Sequence, residues 1–167
     1  KLPSQFTLPV KRQSAASTVK GNKSMLVDFG KETLGFIKLH GLKGKGKLSV
    51  YYGESREEAL SPEHCEALDR VQVNNTAKKD ETMKLSKAYR FVNVQYDGSV
   101  SLDSVSMLYE YADVKERGSF TCSDAEINKI YEVAKYTFHL NTREFFIDGI
   151  KRDRWVWSGD AWSTLGL

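Results

Sequence analysis

The hydrophobic period of the sequence changes near Asp113, and this change constrains the fold more than any other feature. Before it, apolar residues occur in short alternating runs that are typical of β-strands, and in residues 104–111 almost every second residue is apolar or aromatic. After it, apolar residues recur with the period of a helix. The sequence therefore predicts a β-rich region followed by helical structure.

Seven short strand-like runs precede the change, with glycine-containing turns between them. They are Met25–Phe29, Leu34–Leu39, Leu48–Tyr52, Arg70–Asn74, Met83–Leu85, Tyr89–Tyr96 and Val105–Tyr111. The Asp97–Gly98 pair is a strong hairpin signal. We predict a mainly β protein with an antiparallel β-sandwich over residues 24–112. Residues 1–23 are expected to be an extended lead-in with few packing commitments, and residues 53–69 a loop with a helical turn around Arg56–Leu60.

A helix is predicted to begin near Ser123, where Ser123-Asp-Ala-Glu126 fits a capping box. An apolar stripe then follows at helical spacing, and its ordinary interpretation is core packing. The stripe consists of Ile127, Ile130, Tyr131, Ala134 and Phe138. His139 lies near the end of this helix and is interpreted as structural, and Asn141 and Thr142 are expected to end the helix.

Residues 146–162 combine acidic, basic and indole side chains, and they are the strongest candidate for a functional segment. They contain three aspartates, two arginines and all three tryptophans of the chain. Indole faces stack on the C–H face of a pyranose, and carboxylates accept hydrogen bonds from its hydroxyls or protonate a glycosidic oxygen. The alternative is that the arginines pair with the aspartates while the tryptophans fill a core. The residues alone leave both interpretations open.

The spacing of these residues resembles the signature of the bacterial α-L-rhamnosidases of glycoside hydrolase family 78. Six positions match in identity and spacing: Asp148, Arg152, Arg154, Trp157, Gly159 and Asp160. At the position of the family's usual glutamate acid, this chain has Asp153. A weaker similarity covers the β-sandwich that precedes the catalytic barrel in these enzymes. It involves residues 27–30, 35–39, 50–54 and 89–92.

The resemblance implies a glycosidase that inverts configuration and cleaves terminal α-L-rhamnose from glycans or glycosides. Asp153 would be the general acid, and Asp148 and Asp160 would hold rhamnose hydroxyls. Arg152, Arg154 and Trp157 would shape the pocket. Residues 113–167 would form the first helix and first active-site loop of an (α/α)6 six-hairpin barrel. No cofactor or metal ion is implied.

A barrel of this kind needs several hundred residues, so we expect this chain to be a fragment of a longer parent. The general base is expected beyond Leu167, and the isolated chain is expected to be inactive. The apolar face of the helix from Ser123 would then be partly exposed and could promote self-association. The sequence begins without Met and without a signal-peptide pattern, so we expect it to start inside a longer gene product. A periplasmic or secreted parent is favoured over a cytoplasmic one.

Two other functions are weighed against the enzyme. The chain could be a non-catalytic carbohydrate-binding or scaffold module, because the sandwich is its only complete domain; glycan binding without hydrolysis would distinguish this case. The second alternative is nucleic-acid binding. It is suggested by residues 1–50, which contain ten Lys or Arg and two acidic residues, a net charge of +8. These lysines have no interleaved aromatics, so a solvated sheet face is the better interpretation. No apolar run is long enough to span a bilayer.

The two cysteines, Cys65 and Cys122, lie far apart and have no metal-ligand spacing. They are expected to be unrelated thiols, and a single disulfide is the alternative in an exported protein.

Overall fold

A computed structural model of the chain describes residues 7–159 and residue 162. Within these residues the chain forms six strands and two helices. In chain order they are β1 (Val10–Ser14), β2 (Ser17–Gly21), β3 (Ser24–Gly53), α1 (Arg56–Leu60), β4 (Ala67–Thr82), β5 (Lys87–Tyr96), β6 (Ser104–Glu110) and α2 (Ala125–Asn141). Val10–Glu110 forms one compact unit, and the other described residues belong to a second.

Strand β3 organises the first unit, because it continues through three of the predicted runs. Its first part, Ser24–Asp28, pairs with β2 and β5. Its middle part, Gly35–His40, pairs with β6, and its last part, Leu48–Gly53, pairs with β5 again and with β4. A single bent strand thus contributes to both layers of the fold.

These pairings define two antiparallel layers that share β3 and β4. The strand order in one layer is β2, the first part of β3, β5, the last part of β3 and β4. The order in the other is β1, β6, the middle part of β3 and the end of β4. Hydrogen bonds connect all six strands in one sheet, so the sandwich is a curled sheet rather than two separate ones. The predicted mainly β, antiparallel fold is confirmed.

The core lies between the two layers and is built from alternate residues of the strands. Val92 and Val94 of β5 lie beside Val27 and Met25 of β3 in the first layer, and all four are buried on its inner face. The second layer contributes Ile37, Leu39, Val105 and Met107, all of which are buried. Burial of each such side chain contributes about 1.5–3 kcal/mol. The alternation that predicted these strands therefore also selects the residues that stabilise the sandwich.

Two strands lie in the segment where an extended lead-in was expected. Strand β1 pairs with β6, and β2 pairs with the first part of β3, so both have defined partners. Most of their residues are exposed. They lacked the alternation of buried apolar residues on which the other strand predictions depended.

The predicted strand Met83–Leu85 is wrong, since β4 ends at Thr82 and β5 begins at Lys87. Met83 is buried, and its amide donates to the carbonyl of Ile37 at 2.8 Å, while Leu85 is exposed. The run is therefore one anchoring residue followed by a turn.

The Asp97–Gly98 pair forms a turn, with the Val100 amide donating to the Asp97 carbonyl at 3.2 Å. The hairpin prediction is wrong, because β5 and β6 pair with β3 and not with each other. The residues after the turn lie instead against the bend of β3. The Ser99 amide donates to the Lys45 carbonyl at 3.1 Å, and a side chain at Gly44 would collide with the Ser99 carbonyl.

Helix α1 occupies the predicted residues Arg56–Leu60, with the Ser55 side chain as its N-cap. Helix α2 begins one residue later than its predicted cap requires. The Asp124 carboxylate, rather than the Ser123 hydroxyl, accepts the amides of Glu126 and Ile127, at 2.8 and 3.3 Å. The helix ends at Asn141, as predicted, and Thr142 is its C-cap.

The apolar stripe of α2 is only partly covered within its own unit. Tyr131, Ala134 and Phe138 line a cavity of about 420 Å³ together with Val114 and Phe146. Ile127 and Ile130, at the other end of the stripe, are exposed. Ala134 is exposed as well, and Tyr131 and Phe138 are only half-buried. The core-packing interpretation is therefore wrong for the described residues, and the expected exposed apolar surface is present.

Cys65 is buried, Cys122 is partly exposed, and both are free thiols. In the part of the chain that the structure describes, no helix combines the length and apolar character needed to cross a bilayer.

Candidate active-site loop

The aspartate- and tryptophan-rich segment follows α2 and is anchored to the end of that helix. Thr142 forms a β-bridge with Phe146, and the Ile147 amide donates to the Asn141 carbonyl at 3.1 Å. Within the loop itself, Ile150 is buried. These contacts fix both the entry of the loop and one point near its middle.

The Asp148 carboxylate closes the loop by accepting two hydrogen bonds. One oxygen accepts the backbone amide of Trp155 at 3.0 Å, and the other accepts the indole Nε1–H of Trp157 at 3.1 Å. The Asp148 amide in turn donates to the Trp155 carbonyl at 3.1 Å. Asp148 therefore sets both the closure of the loop and the orientation of one indole.

The tip of the loop has an unusual backbone conformation. Asp153 and Arg154 have φ angles of 58° and 52°, in the left-handed region that non-glycine residues rarely occupy. The Arg154 amide donates to the Arg152 carbonyl at 2.6 Å. The guanidinium Nε of Arg154 donates to the Ile150 carbonyl at 2.8 Å. Strained backbone of this kind is concentrated at functional sites. It places the Asp153 side chain in an exposed position at the tip.

The tryptophans of the loop form an exposed aromatic surface. Trp155 is 63% exposed and Trp157 is 56% exposed, and their ring centroids lie 6.3 Å apart. The interpretation in which these tryptophans fill a core is therefore wrong for this unit. Exposed indoles beside a carboxylate provide stacking and hydrogen bonding on one surface, which is the chemistry of sugar recognition.

Family models match both parts of the chain. Residues 1–94, more than half of the chain, match the model of the alpha-rhamnosidase-like N-terminal domain of bacteroidetes. Residues 115–165 match the six-hairpin glycosidase domain of bacterial alpha-L-rhamnosidases. The chain belongs to the bacterial alpha-rhamnosidase-like family.

Solved rhamnosidase structures have the same fold. The glycoside hydrolase family 78 rhamnosidase of Bacillus sp. GL1 is 21% identical, with a TM-score of 0.74 over 89% of this chain and 16% of that one. The rhamnosidase of Klebsiella oxytoca with rhamnose bound is 17% identical, with a TM-score of 0.76 over 95% of this chain and 38% of that one. The alpha-L-rhamnosidase of Dictyoglomus thermophilum is 19% identical, with a TM-score of 0.72 over 93% and 19%.

This alpha-rhamnosidase-like chain spans less than two fifths of the length of each of these structures. At such identities the likeness establishes the fold. No curated protein sequence matches the chain significantly.

The structure brings together some of the residues that the rhamnosidase signature selected. Asp148 and Trp157 are joined by a hydrogen bond. Arg152 and Asp153 are exposed at the tip of the loop, and Arg154 is half-buried beneath it. Asp160 lies outside the described residues. The sequence did not indicate the bonds from Asp148 to Trp155 and Trp157, because a spacing of seven or nine residues in a loop has no regular geometry.

A second polar cluster of this alpha-rhamnosidase-like protein lies on the sandwich and was also missed. His40 Nδ1 is 2.9 Å from Asp80 Oδ2, and its Nε2 is 2.7 Å from Ser106 Oγ. Hydrogen bonds with the Gly41 amide, which has the larger effect, and with His40 lower the pKa of the Asp80 carboxyl group to about 2. The order of groups matches a nucleophilic triad, but Ser106 is only 2% exposed in the middle of β6. A substrate cannot reach its hydroxyl, so the cluster ties three strands together.

Proposed function

We propose that the parent of this chain is an α-L-rhamnosidase that removes terminal α-L-rhamnose from glycans or glycosides with inversion of configuration. The observation that carries the proposal is the match of residues 115–165 to the six-hairpin glycosidase domain, around a loop that exposes Asp153. The exposed indoles of the same loop support a sugar as substrate.

Asp153 is the proposed general acid, which protonates the glycosidic oxygen of the leaving group. Its exposed position at a strained loop tip supports this role. Inversion also needs a general base, with the two carboxyl groups about 6.5–9.5 Å apart and a water molecule between them. We assign the base to a part of the parent outside these 167 residues, and we expect the isolated chain to be inactive.

Asp148 and Asp160 are the proposed ligands of rhamnose hydroxyls, and Arg152, Arg154 and Trp157 shape the pocket. A carboxylate can accept about four hydrogen bonds. Two are taken by the Trp155 amide and the Trp157 indole, so Asp148 retains the capacity to accept from a substrate hydroxyl. Asp148 would then connect the sugar directly to the ring on which it stacks.

The sandwich and the catalytic barrel are proposed to have different roles. Residues 24–112, extended by the paired strands β1 and β2, are the proposed sandwich domain, and residues 113–167 are proposed as the first piece of the catalytic barrel. The sandwich would support the barrel and would contribute no reacting group.

The test replaces Asp153 with Asn in the full-length parent and compares two aryl rhamnosides. A general acid contributes about 10²–10⁴-fold to rate, so kcat on a poor leaving group should fall by about that factor. A nitrophenyl leaving group needs little protonation and should be affected much less. Asp160→Asn should instead lower kcat/KM for both substrates equally.

Asp113→Asn is the matched control, since Asp113 is an exposed carboxylate outside the loop. It should leave both rates unchanged. If Asp153→Asn behaves like wild type on the poor leaving group, Asp153 is not the acid.

A further inference from the structure

Residues 150–154 form a ring at the tip of the candidate loop, and Arg154 closes this ring twice. The Arg154 backbone amide donates to the Arg152 carbonyl at 2.6 Å, and the Arg154 Nε donates to the Ile150 carbonyl at 2.8 Å. Both acceptors precede Asp153 in the chain, and both donors follow it. Asp153 is therefore enclosed by the hydrogen bonds of its own neighbour.

Ile150 gives the ring a fixed end. It is 8% exposed, whereas Asp153 is exposed at the tip. Arg154 is half-buried, so its bond to the Ile150 carbonyl is partly shielded from water. Hydrogen bonds from a charged donor belong to the stronger class, and partial burial strengthens them further. The Arg154 guanidinium group thus ties the exposed tip to a buried residue.

The backbone of the tip needs such a tie at Arg154 more than at Asp153. Both residues have positive φ angles, 58° at Asp153 and 52° at Arg154. Aspartate is enriched in the left-handed region because its short polar side chain can bond locally, and arginine has no such preference. The more costly of the two conformations therefore belongs to the residue whose own side chain bonds to Ile150.

The bond to the Ile150 carbonyl requires an arginine. Its donor is Nε, and lysine has a methylene group at that position with its only donor one atom further out. Lysine nevertheless keeps the positive charge and nearly the same length. Arg154→Lys is therefore a substitution that removes this bond and retains the charge.

We propose that Arg154 is a positioning residue for Asp153, because its bond to Ile150 holds the tip in the conformation that aims the Asp153 carboxyl group at the glycosidic oxygen. The inference rests on the proposed function of Asp153. Proton transfer needs a separation of about 2.6–3.2 Å between the heavy atoms, so a tip that relaxes by about 1 Å loses much of the contribution of the acid. Sugar binding depends less on the ring, since Asp148 and Trp157 lie outside residues 150–154.

The experiment compares Arg154→Lys with the wild type in the full-length parent, on an aryl rhamnoside with a poor leaving group and on a nitrophenyl rhamnoside. On the poor leaving group kcat should fall by roughly 10–100-fold. On the nitrophenyl substrate kcat should fall by less than about threefold, and KM for both should stay within about twofold. Arg56→Lys, at an exposed arginine of α1, is the matched control and should leave both rates unchanged.

A double-mutant cycle separates a positioning role from a direct contact with the substrate. If Arg154 acts through Asp153, Arg154→Lys should have no further effect on the poor leaving group in the Asp153→Asn background. An arginine that binds the substrate itself would lower kcat/KM by the same factor in both backgrounds.

Glycine and alanine at position 154 test whether the backbone conformation is what matters. Both lack the guanidinium group, but only glycine adopts a φ of 52° without strain. Arg154→Gly should therefore retain a kcat on the poor leaving group that is roughly fivefold higher than that of Arg154→Ala. Thermal unfolding, measured for every variant, identifies any loss of fold.

Four results would overturn the inference. They are a wild-type kcat of Arg154→Lys on the poor leaving group, equal losses on the two leaving groups, a loss of the same size in the Asp153→Asn background, and an Arg154→Gly variant no more active than Arg154→Ala. A failure of the proposed function gives a different result. Asp153→Asn itself then behaves like wild type, and the inference falls with it.

Discussion

Two adjacent buried tyrosines provide a matched test of the energetics of the sandwich core. The ring centroids of Tyr52 and Tyr89 lie 5.0 Å apart, and both side chains are almost completely buried. The Tyr52 hydroxyl donates to Asp69 Oδ2 at 2.6 Å. The Tyr89 hydroxyl is buried without a hydrogen-bond partner in the described part of the chain. Replacing each with Phe is the same chemical change in opposite environments.

Opposite effects on stability are expected from the two substitutions. Tyr89→Phe removes an unsatisfied buried hydroxyl, whose desolvation costs about 1–3 kcal/mol, and leaves only a small void. It should raise the free energy of unfolding by about 1 kcal/mol. Tyr52→Phe removes a hydrogen bond to a charged group, which contributes about 1.5–3 kcal/mol. Because Asp69 keeps its ion pair with Lys87 at 2.8 Å, the loss should lie at the lower end of that range.

Urea denaturation followed by circular dichroism would measure both changes against the wild-type chain. The rings stay in place, so the m-value should be unchanged and the midpoints should move in opposite directions. Burial raises the pKa of both phenols, so neither ionises near neutral pH. If both variants are destabilised to the same degree, the Tyr89 hydroxyl has a partner and the reasoning is wrong.

Three further changes test other parts of the structure. Asp124→Ala should destabilise α2 by about 1 kcal/mol because it removes the N-cap, while Ser123→Ala should have little effect; a larger loss of helical signal in Ser123→Ala would contradict the cap assignment. Gly44→Ala should cost more than about 1 kcal/mol, because Gly44 has a φ of 109° and faces the Ser99 carbonyl. Gly118→Ala, where a side chain meets open space, is its thermal-unfolding control. The folded-state pKa of Asp80 is depressed to about 2. Its ionised form therefore stabilises the folded state above the unfolded pKa of about 3.9, and this stabilisation is lost as the pH falls through about 2. If Asp80→Asn loses as much unfolding free energy as the wild type between about pH 4 and 2, Asp80 makes no such contribution.

Much of the fold could be predicted from local sequence pattern, and the remainder depends on long-range pairing. Alternation located the core residues of β3, β5 and β6. Helix α1 and the end of α2 at Asn141 lie where they were predicted. No local signal shows that β3 continues through a glycine-rich segment and serves both layers. That outcome depends on the contact between the β3 bend at Gly44 and residues 97–101, which are distant in the sequence.

The missed details have similar physical causes. Ser123 and Asp124 have equivalent capping chemistry, and the choice between them is made by the backbone, since Asp124 has an extended ψ of 115° before the helix begins. Strands β1 and β2 bury few side chains, so their pairing left no hydrophobic pattern to detect.

The geometry of the loop links Asp148 to Asp153, two residues that the rhamnosidase signature treats as independent. Asp153 and Arg154 occupy left-handed backbone conformations that cost about 1–3 kcal/mol each. Such strain persists only when the surrounding contacts determine it, and here the closure between Asp148 and Trp155 supplies two of those contacts. Loss of the Asp148 carboxylate would therefore relax the tip as well as remove a proposed ligand of the sugar. A substitution at Asp148 should then impair acid catalysis and sugar binding together, so that its effect is larger on a poor leaving group than on an activated one. We therefore propose Asp148 as a positioning residue for Asp153. Its carboxylate would couple the proposed acid to the indole surface on which the sugar is proposed to stack.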